Sequence, residues 1–260
     1  MGSRPWPTCA RLGWRSLTDS LGGRVALVTG GAGGIGEAIC RGLAAHGVAV
    51  AVGYGASAEP AQRLAHELSL AGVRAVALGA DLLDAAAPAR LVNAATRALG
   101  PIDVLVANHG VAEPTGVQEV DADAFDRTLA INLRAPYLLA REVLAGMRER
   151  GFGRVLFMSS IAAYTGGLVG PHYAASKAGL HGLTYFLAAR AAADGVTVNA
   201  IAPALIDTPM LPGGREALAA RIPVGRLGRS DEVADLALAV LRNGYLTGHV
   251  LPLDGGMHPG

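Results

Sequence analysis

Tyr173 and Lys177, four residues apart in "HYAASKAGLHG", are a pair that can hold and move a proton. The chain carries 22 lysine and arginine residues, and Lys177 is the sole lysine among them. Arginine has thus been used wherever any cation serves, and this position is the exception. On a helix, residues i and i+4 lie on one face about a turn apart. A phenol, with an ordinary pKa of ~10, is a poor acid or base near neutrality, and a nearby ammonium lowers that value. Lysine's compact head also has donors to spare for a ribose hydroxyl, which arginine's planar fork would meet differently. Ser160 stands thirteen residues before Tyr173, at the end of the strand-like run "GRVLFMSS". That is the edge at which open α/β sheets bind ligands. Taken alone, Y-x-x-x-K also fits a surface lysine beside a packed aromatic. Joined to Ser160 and to a glycine turn early in the chain, the catalytic reading prevails.

That turn is "TGGAGGIG", Thr29 to Gly36, between an apolar run and an Ala-rich segment. Glycines there allow positive φ and let a pyrophosphate approach backbone N–H groups at a helix N-terminus. Three fingerprints overlap: Gly31, Gly33 and Gly36 give G-x-G-x-x-G, Gly30, Gly33 and Gly36 give T-G-x-x-G-x-x-G, and Gly30, Gly34 and Gly36 give T-G-x-x-x-G-I-G. The glycines alone do not choose among a dinucleotide, a methyltransferase's nucleoside cofactor and a tight turn with no ligand.

The elements that must position these residues are legible in the hydrophobic pattern. Short apolar runs at 24–30, 48–52, 73–80, 102–108, 153–160, 196–202 and 249–255 alternate with longer Ala-rich stretches. Helices are expected over Gly34 to His46 and, with Ser57 as N-cap and Gly72 as C-cap, after the second run. The runs are continuous, not alternating, as strands of a parallel sheet covered on both faces must be. The pattern predicts an α/β, Rossmann-type, doubly wound seven-stranded parallel sheet with helices on both faces, in a single domain. With 51% hydrophobic residues the chain can bury a large core, and a net charge of +1 without a basic run argues against nucleic acid or an acidic membrane surface. No apolar stretch reaches the ~18–20 residues of a membrane span. Cys9 and Cys40 form neither a metal spacing nor a disulfide framework, so no metal is expected and a reducing, cytoplasmic setting is the default. Residues 1–22 are Arg-rich with no acid before Asp19. Pro5, Pro7 and Gly13 spoil an amphipathic transit helix and Trp6 breaks the myristoylation pattern, so this stretch is read as a flexible extension to a domain spanning 23–260.

With Ser160, Tyr173, Lys177 and the glycine turn in place, the sequence resembles the short-chain dehydrogenases/reductases from about Leu21 to Met257. "PVGRLGRSDEVADLALAVL" and the terminal "LDGG" are similar to the branch containing 3-oxoacyl-carrier-protein reductases. The resemblance implies hydride transfer between NAD(P)(H) and a ketone or secondary alcohol, of 3-oxoacyl or similar type, catalysed by Ser160, Tyr173, Lys177 and Asn132. It implies cofactor contacts from Gly30, Gly34, Ile35 and Gly36, from Tyr54 and Ser57, and from Asp81 and Leu82 near the adenine. Asn108 and Gly110, Tyr173 and Lys177, and Pro203, Ile206 and Thr208 near the nicotinamide complete the expected set. Residues around 205–222 are read as a short substrate lid. Two departures stand out: His109 replaces a small residue in "ANHG", and Ala204 replaces a glycine after Pro203. Tyr54 occupies the place of the acid that NAD enzymes use on the adenosine 2′-hydroxyl, and Gly55 a place where NADP enzymes often have Arg. NADP(H) is therefore expected over NAD(H), with modest discrimination. Residues 174–195 are apolar on nearly every face, and with the resemblance this implies a homotetramer. Two other functions occur on related folds: a sugar-nucleotide epimerase or dehydratase, which usually needs a longer C-terminal substrate domain, and a nucleotide-sensing regulator, which typically lacks a catalytic residue.

Overall fold

The computed structural model describes residues 20–209, 211 and 214–258; Cys9, the expected extension up to residue 19, and Met210, Pro212 and Gly213 of the expected lid lie outside the described residues. Strands and helices alternate in the order β1 (Val25–Thr29), α1 (Gly34–Ala45), β2 (Ala49–Tyr54), α2 (Ala58–Leu70), β3 (Ala75–Gly79), α3 (Ala87–Leu99), β4 (Val104–Ala107), α4 (Ala122–Leu129) and α5 (Ala135–Glu149). The second half adds β5 (Gly153–Met158), α6 (Ala162–Thr165), α7 (Pro171–Ala191), β6 (Val196–Pro203), α8 (Arg215–Ala219), α9 (Ser230–Leu241) and β7 (Val250–Leu253). Ala130–Arg134 is one wider, π-helical turn between α4 and α5.

All seven strands are parallel, in the order β3-β2-β1-β4-β5-β6-β7. The order reverses between β1 and β4, and this switch point opens a crevice at the carboxyl ends of the strands. Strands β1, β4, β5 and β6 are buried along their full length, which is why they read as unbroken apolar runs. Successive side chains serve opposite faces. Val28, Val52, Val106 and Leu156 pack under α1, α2 and α9, while Leu27, Ala51, Leu105 and Phe157 pack under α3, α5 and α7. No helix among the described residues is long and apolar enough to cross a membrane.

The structure adjusts several expected boundaries. Leu21 is 2% exposed and belongs to the first of these cores, so the folded domain includes a residue assigned to the extension. Strand β5 stops at Met158, which leaves Ser160 just beyond it on the crevice rim. Ser57 holds the N-cap position of α2, but its hydroxyl makes no capping bond, and the C-cap is Ala71, with Gly72 following at a φ of +84°.

Candidate active site

The crevice is a cavity of about 1670 Å³, roomy for a dinucleotide together with a small second ligand. At its floor β1 ends in the glycine turn, and the contacts there resolve the overlapping fingerprints. Gly30 has a φ of +61°, and a Cβ on Gly36 would fall 2.0 Å from the Gly30 carbonyl oxygen. Gly34 opens α1, where Thr208 lies so close that a Cβ would sit 3.0 Å from its methyl group. Gly30, Gly34 and Gly36 are thus the glycines of T-G-x-x-x-G-I-G, while Gly31 is wedged against Val52 and the Val28 carbonyl. Gly30, Gly34 and Ile35 line the cavity. Gly36 is buried behind the turn, against the Gly30 carbonyl, and allows the turn to close. The exposed backbone at a helix start, free of Cβ atoms, suits a pyrophosphate.

Of the other expected residues, Tyr54, Ser57, Asp81 and Leu82 line the side of the cavity formed by β2 and β3. Asn108 and Gly110 line its centre with Ser160, Tyr173 and Lys177, and Pro203, Ile206 and Thr208 line the β6 side. Ala204 is accommodated at negative φ, its N–H donating to the Leu253 carbonyl at 3.0 Å, so the missing glycine costs no backbone strain. The sequence reading missed Glu37, which also lines the cavity and is paired with Arg41 at 2.8 Å, and Arg221.

At the centre, Lys177 is 4% exposed and donates to the Met158 carbonyl at 2.8 Å, leaving two of its three N–H donors uncommitted. Burial pushes its pKa down to about 8. Its ammonium lies 5.7 Å from the Tyr173 ring centroid. Burial raises the Tyr173 hydroxyl above its ordinary range, and a hydrogen bond with the Ser160 side chain pulls the other way. Desolvation is the larger effect, and it acts on both groups. Ser160 Oγ accepts from the Ala162 N–H at 3.2 Å, which fixes it at the head of α6.

Asn132 is fully buried, on the π-helical turn, and off the cavity wall. Its Oδ1 accepts from the Val111 N–H at 2.8 Å, and its Nδ2 donates to the Val111 carbonyl at 2.9 Å and to Ser176 Oγ at 3.2 Å. The amide holds the strand-end loop against α7. Ser159, which the sequence reading passed over, contributes a further tie: its hydroxyl contacts the Lys177 carbonyl and His181 Nε2, each at 3.0 Å.

His109 lines the cavity, and both of its ring nitrogens are engaged by protein groups behind the wall. The Ala135 N–H reaches back to the Ala130 carbonyl across the π turn, and Pro136 has no N–H to offer, so the Ile131 carbonyl has lost its helical donor. His109 Nε2 supplies one at 3.0 Å. A carbonyl only accepts, so Nε2 carries the proton, and Nδ1 accepts from the Thr29 hydroxyl at 2.6 Å. Burial, with the Lys177 charge second, pushes the imidazole's pKa down to about 3, so it is neutral. The substitution in "ANHG" is a packing device that joins β1, β4 and the π turn.

Comparison with known proteins agrees with this geometry. The profile of the short chain dehydrogenase family matches residues 24–218. Cis-4-hydroxycyclohexanecarboxylate dehydrogenase of Sinomonas cyclohexanicum is 40% identical, over 92% of this chain and 98% of that protein. The 3-oxoacyl-[acyl-carrier-protein] reductase FabG of Pseudomonas aeruginosa is 37% identical, over 92% of this chain and 99% of its own. Among solved structures, a blue fluorescent protein from a metagenomic library, in complex with NADPH, superposes with a TM-score of 0.87 at 38% identity, over 93% of this chain and all of that one.

Proposed function

The chain belongs to the short chain dehydrogenase family, and from that premise we propose that it transfers hydride between NAD(P)(H) and a ketone or secondary alcohol, of 3-oxoacyl or similar type. The observation that carries this reading is the buried Lys177 ammonium with two free donors, beside Tyr173 and Ser160, in the cavity that the glycine turn opens.

The nicotinamide, when bound, supplies or takes the hydride at the carbonyl carbon; the protein supplies position and charge. Tyr173 Oη gives its proton to the carbonyl oxygen as that oxygen gains charge. Ser160 Oγ donates to the same oxygen and stabilises it. The free N–H groups of Lys177 hold a ribose hydroxyl and keep a positive charge under the site, since with a pKa of about 8 the group is largely protonated at neutral pH. Asn132 and His109 act one step back, as positioning residues for the loop after β4. Because burial raises the Tyr173 pKa, the phenol is the standing form at neutrality. Reduction is ready there, whereas oxidation needs a phenolate and gains with rising pH.

NADP(H) is preferred modestly in this reading. Tyr54 closes β2 where a carboxylate would repel a 2′-phosphate, and the uncommitted Ser57 hydroxyl at the start of α2 suits an anion. Comparing kcat/KM for NADPH and NADH on one ketone tests this, a clear NADH preference overturning it. The enzyme assembles as a homotetramer, for which Tyr185 and Phe186, 54% and 53% exposed on α7, supply apolar surface, Phe186 with the Arg190 guanidinium over its ring. A monomer mass by light scattering at micromolar concentration contradicts that assignment. A cytoplasmic setting, where the buried free thiol of Cys40 stays reduced, completes the proposal; cell fractionation checks it.

A further inference from the structure

Beyond Ser160 and Tyr173 the cavity wall is mostly apolar, with Thr165 and Thr208 as its hydroxyl groups. Leu168 and Val169 come from the loop before α7, Leu205 and Leu218 from the stretch after β6, and Met257 from the turn after β7. Arg221 stands on the same wall. The other charged side chains of the cavity are elsewhere: Glu37 in the first turn of α1, Asp81 after β3, and Lys177 at the centre.

Arg221 differs from the arginines around it. Arg215 pairs with Asp207 at 2.7 Å, Arg226 with Glu232 at 2.7 Å and Arg229 with Asp231 at 2.9 Å. Among the described residues the Arg221 guanidinium has no ion-pair or hydrogen-bond partner. Its backbone is nevertheless fixed. The Arg221 N–H donates to the Leu218 carbonyl at 3.1 Å, and the next residue, Ile222, is only 4% exposed. The Val224 N–H then donates to the Gly255 carbonyl at 3.2 Å, which docks this turn on the C-terminal segment. An exposed cation with five donors thus stands on a mostly apolar wall, its backbone fixed and no acid paired with it among the described residues.

A guanidinium in this setting matches a carboxylate, which can take two parallel N–H donors at once. We propose that the substrate is an oxo acid, a ketone whose apolar body separates the carbonyl held by Ser160 and Tyr173 from a carboxylate held by Arg221. This assignment rests on the carbonyl-reductase reading and makes Arg221 a specificity-determining residue. The carboxylate contact is present before and during hydride transfer, so it acts mainly on KM.

The test follows consumption of reduced nicotinamide at neutral pH with 4-oxocyclohexanecarboxylate, its methyl ester and acetoacetyl coenzyme A, for the wild type and Arg221→Gln. The expected result is a kcat/KM at least about tenfold higher for the acid than for the ester in the wild type, a ratio of the size one charged hydrogen bond confers. In Arg221→Gln that ratio falls to near one through KM, and Arg221→Lys restores part of it. Equal kcat/KM for acid and ester in the wild type, or a loss shared in proportion by both in the variant, overturns the proposal. A loss seen only with acetoacetyl coenzyme A overturns it in favour of a carrier phosphate. Turnover of none of the three overturns the reductase reading as well, which separates the two failures.

Discussion

Around Lys177 the cavity is tied by hydrogen bonds from the ends of β4 and β5, the π turn and α7. Around Tyr54 the backbone is tied by the β2–β3 ladder, but the side chains are held by little more than packing. The Tyr54 ring lies along Gly79, the Ser57 hydroxyl makes no capping bond, and a Cβ on Gly55 would meet nothing within 4 Å. One end is buried and over-determined; the other is open to solvent and to substitution. Chemistry that needs atoms held to a fraction of an ångström belongs at the first, and a choice between two cofactors that differ by one phosphate can be made at the second. If this division is right, changes at the tied end should be severe and independent of cofactor, and changes at the open end mild and cofactor-specific.

The largest effect expected is at Tyr173. Tyr173→Phe removes the proton and keeps the ring, so kcat should fall by roughly 10²–10⁴ while NADPH binding, followed by its fluorescence, persists. Lost binding would make Tyr173 structural. Next is Lys177→Arg. The space is tight, since a Cβ on Gly110 would already sit 3.4 Å from the lysine nitrogen. The wider fork should cost on the order of tenfold or more in kcat and move the alkaline limb of oxidation upward, with both cofactors alike. A native rate and pH profile would show that charge suffices.

At His109 the expected effect is on stability, and it has a sign. The folded pKa lies near 3, below the ordinary imidazole value of 6.5, so below 6.5 the unfolded chain binds a proton that the folded chain refuses. Stability from this group is therefore complete above 6.5 and is lost as pH falls toward 3. His109→Ala should lower Tm at neutral pH, by the ~1–3 kcal/mol of an orphaned buried carbonyl, and flatten the acid limb of Tm against pH. An unchanged limb would contradict the neutral-imidazole assignment. The smallest effect belongs to the open end. Tyr54→Asp should shift the NADPH-to-NADH ratio of kcat/KM toward NADH by about tenfold, leaving kcat with the better cofactor near native. A large loss with both cofactors would erase the distinction between the two ends.

The strands, the glycine turn and the Ser160, Tyr173 and Lys177 set were legible because each rests on local spacing: continuous apolar runs, dense glycine, and an i,i+4 pair after a strand end. The choice among the three glycine fingerprints was not, because all three share Gly36 and the choice turns on Gly34 being crowded by Thr208 where Gly33 is not, a contact no spacing reveals. The role of His109 was half visible, since Pro136 marks a helix carbonyl without its donor, but the reach from β4 to Ile131 is tertiary. Arg221 and Glu37 were invisible for the same reason: both reach the cavity only through packing of distant segments. A sequence shows the cation neighbouring Tyr173 and not the depth of burial, so the desolvation of the phenol was not legible.

The central claim is that the tied end reduces a carbonyl with a nicotinamide hydride and the Tyr173 proton. The most direct test mixes the purified protein at neutral pH with NADPH and a panel of cyclic, acyclic and 3-oxoacyl ketones. Oxidised cofactor and alcohol are then quantified together. The account predicts ketone-dependent oxidation of NADPH with one alcohol formed per cofactor consumed. A protein that binds NADPH yet consumes none with any ketone of the panel would contradict it.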